Sequence, residues 1–430
     1  MKRNSRLMAV VLVLLFMFTA CSNQQVDAPS TAQAISSAPQ VEVSKEKVKV
    51  EYWTWLSNMD MVEEFNKSHE EVEVVHNTVS HPDLMQKLTI ALSANSGAPD
   101  VFQMTQRHFS GFSSTGQLYD MTDKVRDVLG EYSDGLKGIV TYNDKIYGLP
   151  VDVAPGVLWY RKDVFDAAGI SAIKTWSEFE AAGEKLRDEH KAAIMPITMP
   201  AGTWACNIVS LFLQSRGGNI YTADGKVIKN NTELEFVLEW LNKMRKNEIG
   251  ASLPHLTPEF WGALKTGEVV GWPMNTAEGA NIKKNMPELE GKWSVMAFPK
   301  WDDKDTQLTG YWGGTIISIP EQSKLKEQSL SFIKWLAATE EGQVAAGKSW
   351  KAVPAMKSAF ENEYFKTADP YFANVNIYEQ INDVTPFYYY DWSVTEKVIG
   401  LQLDLMYADQ LSPAETRAAI EENLSKETGR

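Results

Sequence analysis

"KVKVEYWTWLSNMDMVEEFNKSHEEVEVVHNTVSHPDLMQKLTIALSANSGAPDVFQM", Lys47 to Met104, decides the fold class. Lys47 to Ser57 alternates apolar and polar residues and reads as a strand. Met61, Val62 and Phe65 then recur at helical spacing, and Glu71 to Val79 alternates again. Pro82 suits the first turn of a helix whose Leu84, Leu88 and Leu92 share a face, with Gly97 as its stop. Ala98 to Met104 is a third strand. Strand, helix, strand, helix, strand opens a parallel α/β sheet. Ligands of such sheets sit beyond the carboxyl ends of the strands. That rule points to Trp53–Asn58 and to Gln103–Arg107.

Upstream, the chain reads as an address and a tether. Lys2, Arg3 and Arg6 precede an apolar run, Leu7 to Ala20, that is short for a membrane span. A basic start, a short apolar core and a small final residue predict a signal peptide over 1–20. "FTAC" resembles a bacterial lipobox, with Phe18 where Leu is usual. Cys21 is then the expected mature N-terminus and the lipid-attachment residue, held at the outer face of the cell membrane. Residues 21–47 lack aromatic side chains after Cys21 and are rich in Ser, Ala, Gln and Pro, a composition that predicts a disordered tether. The other cysteine, Cys206, is left without a partner for an intrachain disulfide and reads as a small buried side chain.

Downstream, strands and helices alternate to the C-terminus. "YGLPVDVAPGVLWYRKDVFDAAGI", Tyr147 to Ile170, flanks a short apolar strand with prolines and glycines, as a crossing between lobes would. Thr175 and Glu178 have capping-box spacing, as do Ser412 and Glu415. "GEVVGWPMNTAEGAN" reads as a strand ending at Trp272 and Pro273, followed by polar residues. The length after the tether exceeds one ordinary core, so two lobes are expected. A formal charge of −14, without a basic patch, argues against nucleic acid as a partner. Fourteen Trp, 15 Tyr and 17 Phe are more than the periodic helices use, and several Trp stand beside Gly or Pro.

Few motifs point to catalysis. "GQVAAGKS", Gly342 to Ser349, matches a phosphate-binding loop literally, but that loop must follow a strand and open a helix. Here it ends a helical stretch, with Gly347 as the expected stop. Asp302, Asp303 and Asp305 lack the turn glycine and closing Glu of a calcium loop. His76 and His81 have no third ligand at useful spacing. Neither a Ser elbow nor a reactive Cys context occurs. Asp152 and Asp391 are the acids in aromatic, Pro-flanked settings, where they would serve hydrolysis as a pair or bind a hydroxyl. No metal, cofactor or catalytic residue is expected.

"KVEYWTWL", "SGAPDVFQM", "YGLPVDVAPGVLWYRKDVFDAAGI" and "YWGGTIISIP", followed by "WLAATEEGQ", resemble the extracellular solute-binding proteins of ABC importers, in the family 1 maltose- and multiple-sugar-binding group. The resemblance covers the chain from about Val48 to the C-terminus. It implies a two-lobed periplasmic-binding-protein-like α/β fold, each lobe a mixed, mainly parallel sheet flanked by helices, with the ligand cleft at the hinge. The implied lobes are 48–152 plus 310–350 and 153–309 plus 351–430. The implied hinge crossings lie near Pro150–Gly156, Trp301–Gly310 and Lys351–Ala355. The ligand positions that carry over are Trp55, Gln103, Asp152, Asn275, Trp312, Gly313, Gly314 and Trp392. "QMTQRHF" and "GWPMNT" depart from the usual forms of the family. The implied function is capture of a sugar or oligosaccharide for a membrane permease, by an exported, monomeric lipoprotein that is not an enzyme.

The residue types agree with that implication. Indole rings cover the C–H face of a sugar, while Asp, Asn and Gln pair with its hydroxyls. Trp272 joins the expected ligand residues because it sits at a strand end beside Pro273. Trp55 and Trp312 are expected on one lobe, Trp272 and Trp392 on the other. Trp176, Trp240 and Trp335 lie at helical spacing and read as core. Arg107 and Arg161 are candidates to select an acidic sugar. Two other classes fit the same composition: a secreted glycoside hydrolase or lyase, which needs paired carboxylates and turnover, and an adhesive or sensor-linked sugar-binding lipoprotein, which needs a surface patch.

Overall fold

A computed structural model describes residues 46–384 and 387–430. The expected signal peptide, Cys21 and the tether up to residue 45 lie outside the described residues.

The first lobe opens with β1 (Val48–Thr54), α1 (Asp60–Ser68), β2 (Val72–Thr78), α2 (His81–Ser93), β3 (Val101–Met104), α3 (Gln106–Ser113) and β4 (Leu149–Val153). The second contains β5 (Gly156–Arg161), α4 (Trp176–Lys185), β6 (Met195–Thr198), α5 (Gly202–Ser215), α6 (Thr232–Lys246), β7 (Gly250–Leu253), α7 (Pro258–Thr266), β8 (Gly271–Asn275), α8 (Glu278–Asn285) and β9 (Trp293–Ala297). The chain returns to the first lobe for β10 (Thr315–Ser318), α9 (Lys326–Ala338), α10 (Glu340–Trp350) and β11 (Val353–Pro354). It finishes with α11 (Trp392–Tyr407) and α12 (Pro413–Thr428) on the second.

Local chemistry accounts for these elements. On β1, Val50, Tyr52 and Thr54 face inward while Lys49 and Glu51 face out. Ser80 caps α2 by accepting from the Asp83 N–H, and Pro82 sits in its first turn. The capping boxes at Thr175/Glu178 and Ser412/Glu415 both form. The P-loop-like "GQVAAGKS" lies wholly within α10, which runs past Gly347 to Trp350 and is closed by left-handed Lys351. Gly347 is therefore a packing position, where a Cβ would meet the Phe365 ring at 2.7 Å. The strand expected to end at Trp272–Pro273 continues to Asn275. Pro273 is tolerated because β8 is laddered only to β5, so its missing N–H removes no bond on the other side.

The first sheet has the order β11-β4-β10-β3-β1-β2. Its β2-β1-β3 part is parallel; from β3 outward each ladder is antiparallel. In the second lobe β5 lies between β8 and β9, antiparallel to both. β6 and β7 are parallel, and a parallel bridge from Ala193 to Val269 joins them to β8. The mainly parallel character expected thus holds for β2-β1-β3 and β6-β7.

The hydrophobic interior is divided as two lobes require. One core runs from Val50 to Val151 and again from Tyr311 to Phe365. Two others lie among residues 157–301 and 371–424. Ala355, Met356, Ala359 and Phe365 belong to the first core and Tyr378 packs against it, while Tyr371, Phe372 and Ile377 belong to or flank another, so the stretch 355–378 touches both.

Candidate ligand-binding site

A cavity of about 1020 Å³ opens where the cores meet. Its walls come from the carboxyl ends of β1, β3, β4 and β8, the positions that an open α/β sheet offers to a ligand. Trp55 follows β1 and Thr105–Arg107 follow β3. Asp152 lies on β4; Asn275 ends β8. Trp312, Gly313 and Gly314 lead into β10.

The glycine pair lets this loop hug β4. Gly313 and Gly314 have φ of 110° and 83°, and a Cβ on Gly314 would lie 2.5 Å from the Asp152 carbonyl oxygen. The close approach sets Thr315 beside Asp152, whose Oδ1 accepts from the Thr315 hydroxyl. Burial pushes the Asp152 carboxyl up to about 6, and that hydrogen bond only partly offsets it.

Trp55 meets the His81 ring edge-on at 4.8 Å and 85°. Its loop is pinned from below: the Leu56 N–H donates to Thr54 Oγ1 (3.0 Å), and Thr54 donates to Gln103 Oε1 (2.5 Å). Trp312 packs on the second-lobe cores, edge-on to Trp204 at 5.3 Å, rather than on the first core with Trp55 as expected. The two indoles thus reach the cavity from different cores. The Asn275 Oδ1 accepts from the Ala277 N–H at 2.9 Å, which fixes its amide at the start of α8. Burial and nearby Arg107 hold the His81 and His108 imidazoles below their usual range, His108 at about 3, so both are neutral at pH 7.

Six of the nine residues expected at the ligand line this cavity: Trp55, Asp152, Asn275, Trp312, Gly313 and Gly314. The other three do not. Gln103 is wholly buried under the β1 loop, bonded to Thr54 and Tyr52. Trp272 is 1% exposed, packed in the middle of β8 against Phe260 and Trp261. It was expected at a strand end, but the strand runs three residues past it. Trp392 is 4% exposed, its ring 4.6 Å from that of Tyr389 and its Nε1 donating to Glu396. It borders a second cavity of about 620 Å³, which shares His81 and Arg107 with the first. Arg107 is paired with Glu396 at 2.7 Å, and Arg161 is tied to Asp163 away from the cavity. Asp303 is paired with Arg216, and Asp302 accepts from Ser177.

Glu278, Tyr364, Phe372 and Tyr378 also line the cavity, unanticipated. The last three lie in a run of short 3-10 turns without periodicity, where only aromatic density marked them.

The arrangement joins apolar ring faces to fixed hydrogen-bonding groups in a deep, partly enclosed space. The sequence matches the profile of the bacterial extracellular solute-binding protein family over residues 58–343. The chain belongs to that family. Its members hold solutes rather than transform them, so this is an exported binding protein and not an enzyme. The arabinooligosaccharide-binding protein of Bacillus subtilis (strain 168) is 28% identical over 293 residues, 66% of each chain. That of Halalkalibacterium halodurans is 25% identical over 77% of each chain. The aligned region thus spans just under two thirds of the first of these relatives. The ABC-transporter-associated binding protein from B. animalis subsp. lactis Bl-04, solved with beta-1,6-galactobiose, superposes with a TM-score of 0.70 at 22% identity, covering 89% of this chain and 99% of that one. No helix among the described residues is long and apolar enough to cross a membrane.

Proposed function

We infer that this protein captures an oligosaccharide in the cleft between its lobes and delivers it to the membrane subunits of an ABC importer. The observation that carries the reading is the pairing of two indoles, Trp55 and Trp312, from different cores around Asp152 and Asn275 in one cavity. At about 1020 Å³ the cavity matches the upper range of ligand pockets, which favours more than one sugar unit. The names of the two sequence relatives make an arabinooligosaccharide the first ligand class to test, and α-1,5-arabinotriose is the probe chosen from it. In this reading Trp55 and Trp312 stack on sugar rings while Asp152, Asn275 and the Gly313–Gly314 backbone take hydroxyls. The lobes in this reading are 48–152 plus 310–350 and 153–309 plus 351–430, with the stretch 355–378 packed on both, and Cys21 carries the lipid that keeps a monomer at the outer face of the membrane.

Thermal unfolding in the presence of arabino-, galacto-, gluco- and xylo-oligosaccharides tests the function. A ligand at one hundred times its Kd adds about 2.7 kcal/mol of stability. A concentration-dependent rise with at least one neutral oligosaccharide, without product formation, is the expected result. A panel without any rise overturns the reading. For the anchor, Cys21→Ala should release the protein from the membrane fraction; equal retention of variant and wild type would refute it.

A further inference from the structure

A buried carboxylate, Glu278, and a half-buried one, Asp152, face the cavity, and each has a neutral partner. Asp152 accepts from the Thr315 hydroxyl. Glu278, 5% exposed in the first turn of α8, accepts from the Asn281 amide at 2.8 Å. Burial holds both carboxyls above their usual range, and no cation contributes to lowering either.

The cations near them are already engaged or lie outward. Arg107 is held by Glu396 at 2.7 Å, and Lys283 is held by Asp369. Lys284 and Lys351 are exposed. Counting Glu396, the formal charges around the cavity balance, so the lining itself carries no excess of either sign. Selection by charge falls to whichever groups touch the ligand. A carboxylate is a pure acceptor: it takes hydroxyl donors through charge-assisted bonds and repels another carboxylate.

We propose that Glu278 and Asp152 together make the cleft selective for uncharged glycans, with Glu278 as a specificity-determining contact that takes ligand hydroxyls and excludes uronates. The proposal rests on the oligosaccharide reading and narrows its substrate class. A cationic amino sugar is disfavoured on a different ground: the lining charges balance overall, and its ammonium would lose its water on entering a partly enclosed cavity. Glu278 was not marked in the sequence, where it looks like an ordinary first-turn acid of a helix.

The test uses the methyl glycosides of α-1,5-arabinotriose and β-1,6-galactobiose in three forms. The non-reducing terminal primary alcohol is kept, oxidised to the carboxylate, or replaced by an amine. Calorimetry on the wild-type protein should give the neutral form at least tenfold tighter than the other two, for whichever backbone binds. Glu278→Gln, which keeps shape and burial, should weaken the neutral form several-fold and shrink its advantage over the uronate by about tenfold. A uronate bound within threefold of the neutral form, or an amine bound more tightly, overturns the selectivity while leaving the sugar-binding function intact. An unchanged gap in Glu278→Gln removes Glu278 from it. Should that variant fail to fold, the three-way comparison on the wild type decides alone. If neither neutral backbone nor any neutral sugar of the wider panel binds, the oligosaccharide reading itself is what fails.

Discussion

Replacing Trp55 or Trp312 by Ala should cost roughly 1–3 kcal/mol of sugar binding, by analogy with bases stacked on aromatic rings. That is about one to two orders of magnitude in affinity, with the fold retained because the rings border an open cavity. Trp272→Ala should do the reverse. Its indole fills space between Phe260 and Trp261, and truncation should cost about 3–5 kcal/mol of stability. Calorimetry and thermal unfolding on the same three variants separate the cases; normal binding by both cavity variants with early melting would make those rings core. Asp152 gives a prediction in pH. Its carboxyl ordinarily titrates near 3.8 but sits at about 6 in the fold. Between those values the native state holds a proton that the unfolded chain has released, so stability falls as pH rises through that window. The full difference is worth roughly 3 kcal/mol, and about 1–2 kcal/mol is expected because the side chain also faces the open cavity. Asp152→Asn should therefore melt higher than wild type at pH 7.5, lose that advantage towards pH 4, and bind sugar more weakly. Equal melting at both pH values would mean that the carboxylate is not desolvated.

At the scale of elements, Gln343 of α10 ties three pieces of the first core together. Its Nε2 donates to the carbonyls of Val151 (2.7 Å) and Leu336 (3.1 Å); its Oε1 accepts from the N–H groups of Ala355 (2.8 Å) and Met356 (3.1 Å). β4, the end of α9 and the residues after β11 are thus held by one buried amide, bonded to the residue before Asp152. Gln343→Leu takes a partner from the Met356 N–H and the Leu336 carbonyl and leaves the Ala355 N–H and Val151 carbonyl only their long 3.4 Å bond to each other; at about 1–3 kcal/mol for each group left short, a loss of about 3 kcal/mol in denaturant unfolding is expected, and a loss under about 1 kcal/mol would show that the backbone finds other partners. Gln343 also marks how far sequence reading reached. "WLAATEEGQ" was legible as part of a family pattern, and the β1–β3 run was legible outright, because periodicity and capping are properties of neighbouring residues. The role of Gln343 depends on partners up to 192 residues away, which leave no local trace. The same holds for Gln103, placed rightly at the end of β3 but turned inward to Thr54. Trp272 misled because a proline usually ends a strand, and here the strand's unladdered side absorbed it. As a set, Asp152, Asn275 and the Trp312–Gly314 turn came only with the family resemblance, because spacing along the chain does not say which strand ends meet across a cavity.

At the scale of the whole molecule, capture depends on contacts that bridge the lobes. Arg107 of α3 reaches Glu396 of α11 at 2.7 Å, and the Ser110 hydroxyl donates to the Tyr389 carbonyl. The first partner of each pair belongs to a helix after β3, and the second to a segment packed on the second core. Such contacts favour whichever lobe arrangement permits them, and affinity scales with the fraction of molecules in the binding-competent arrangement. Glu396→Gln removes the charge and keeps an acceptor for the Trp392 indole, so packing around α11 should survive. In solution the sugar-free variant should scatter X-rays with a larger radius of gyration than wild type, and its affinity for neutral α-1,5-arabinotriose should fall a few-fold. Freed of its partner, Arg107 also becomes an uncompensated cation on the cavity wall, so the terminal uronate of the same trisaccharide should gain affinity while the neutral form loses it. Opposite shifts for the two sugars distinguish this linkage from simple damage to the fold, which would weaken both. An unchanged radius with unchanged affinities would reduce the Arg107–Glu396 pair to an ordinary ion pair worth about 0–1 kcal/mol, without influence on how the lobes meet.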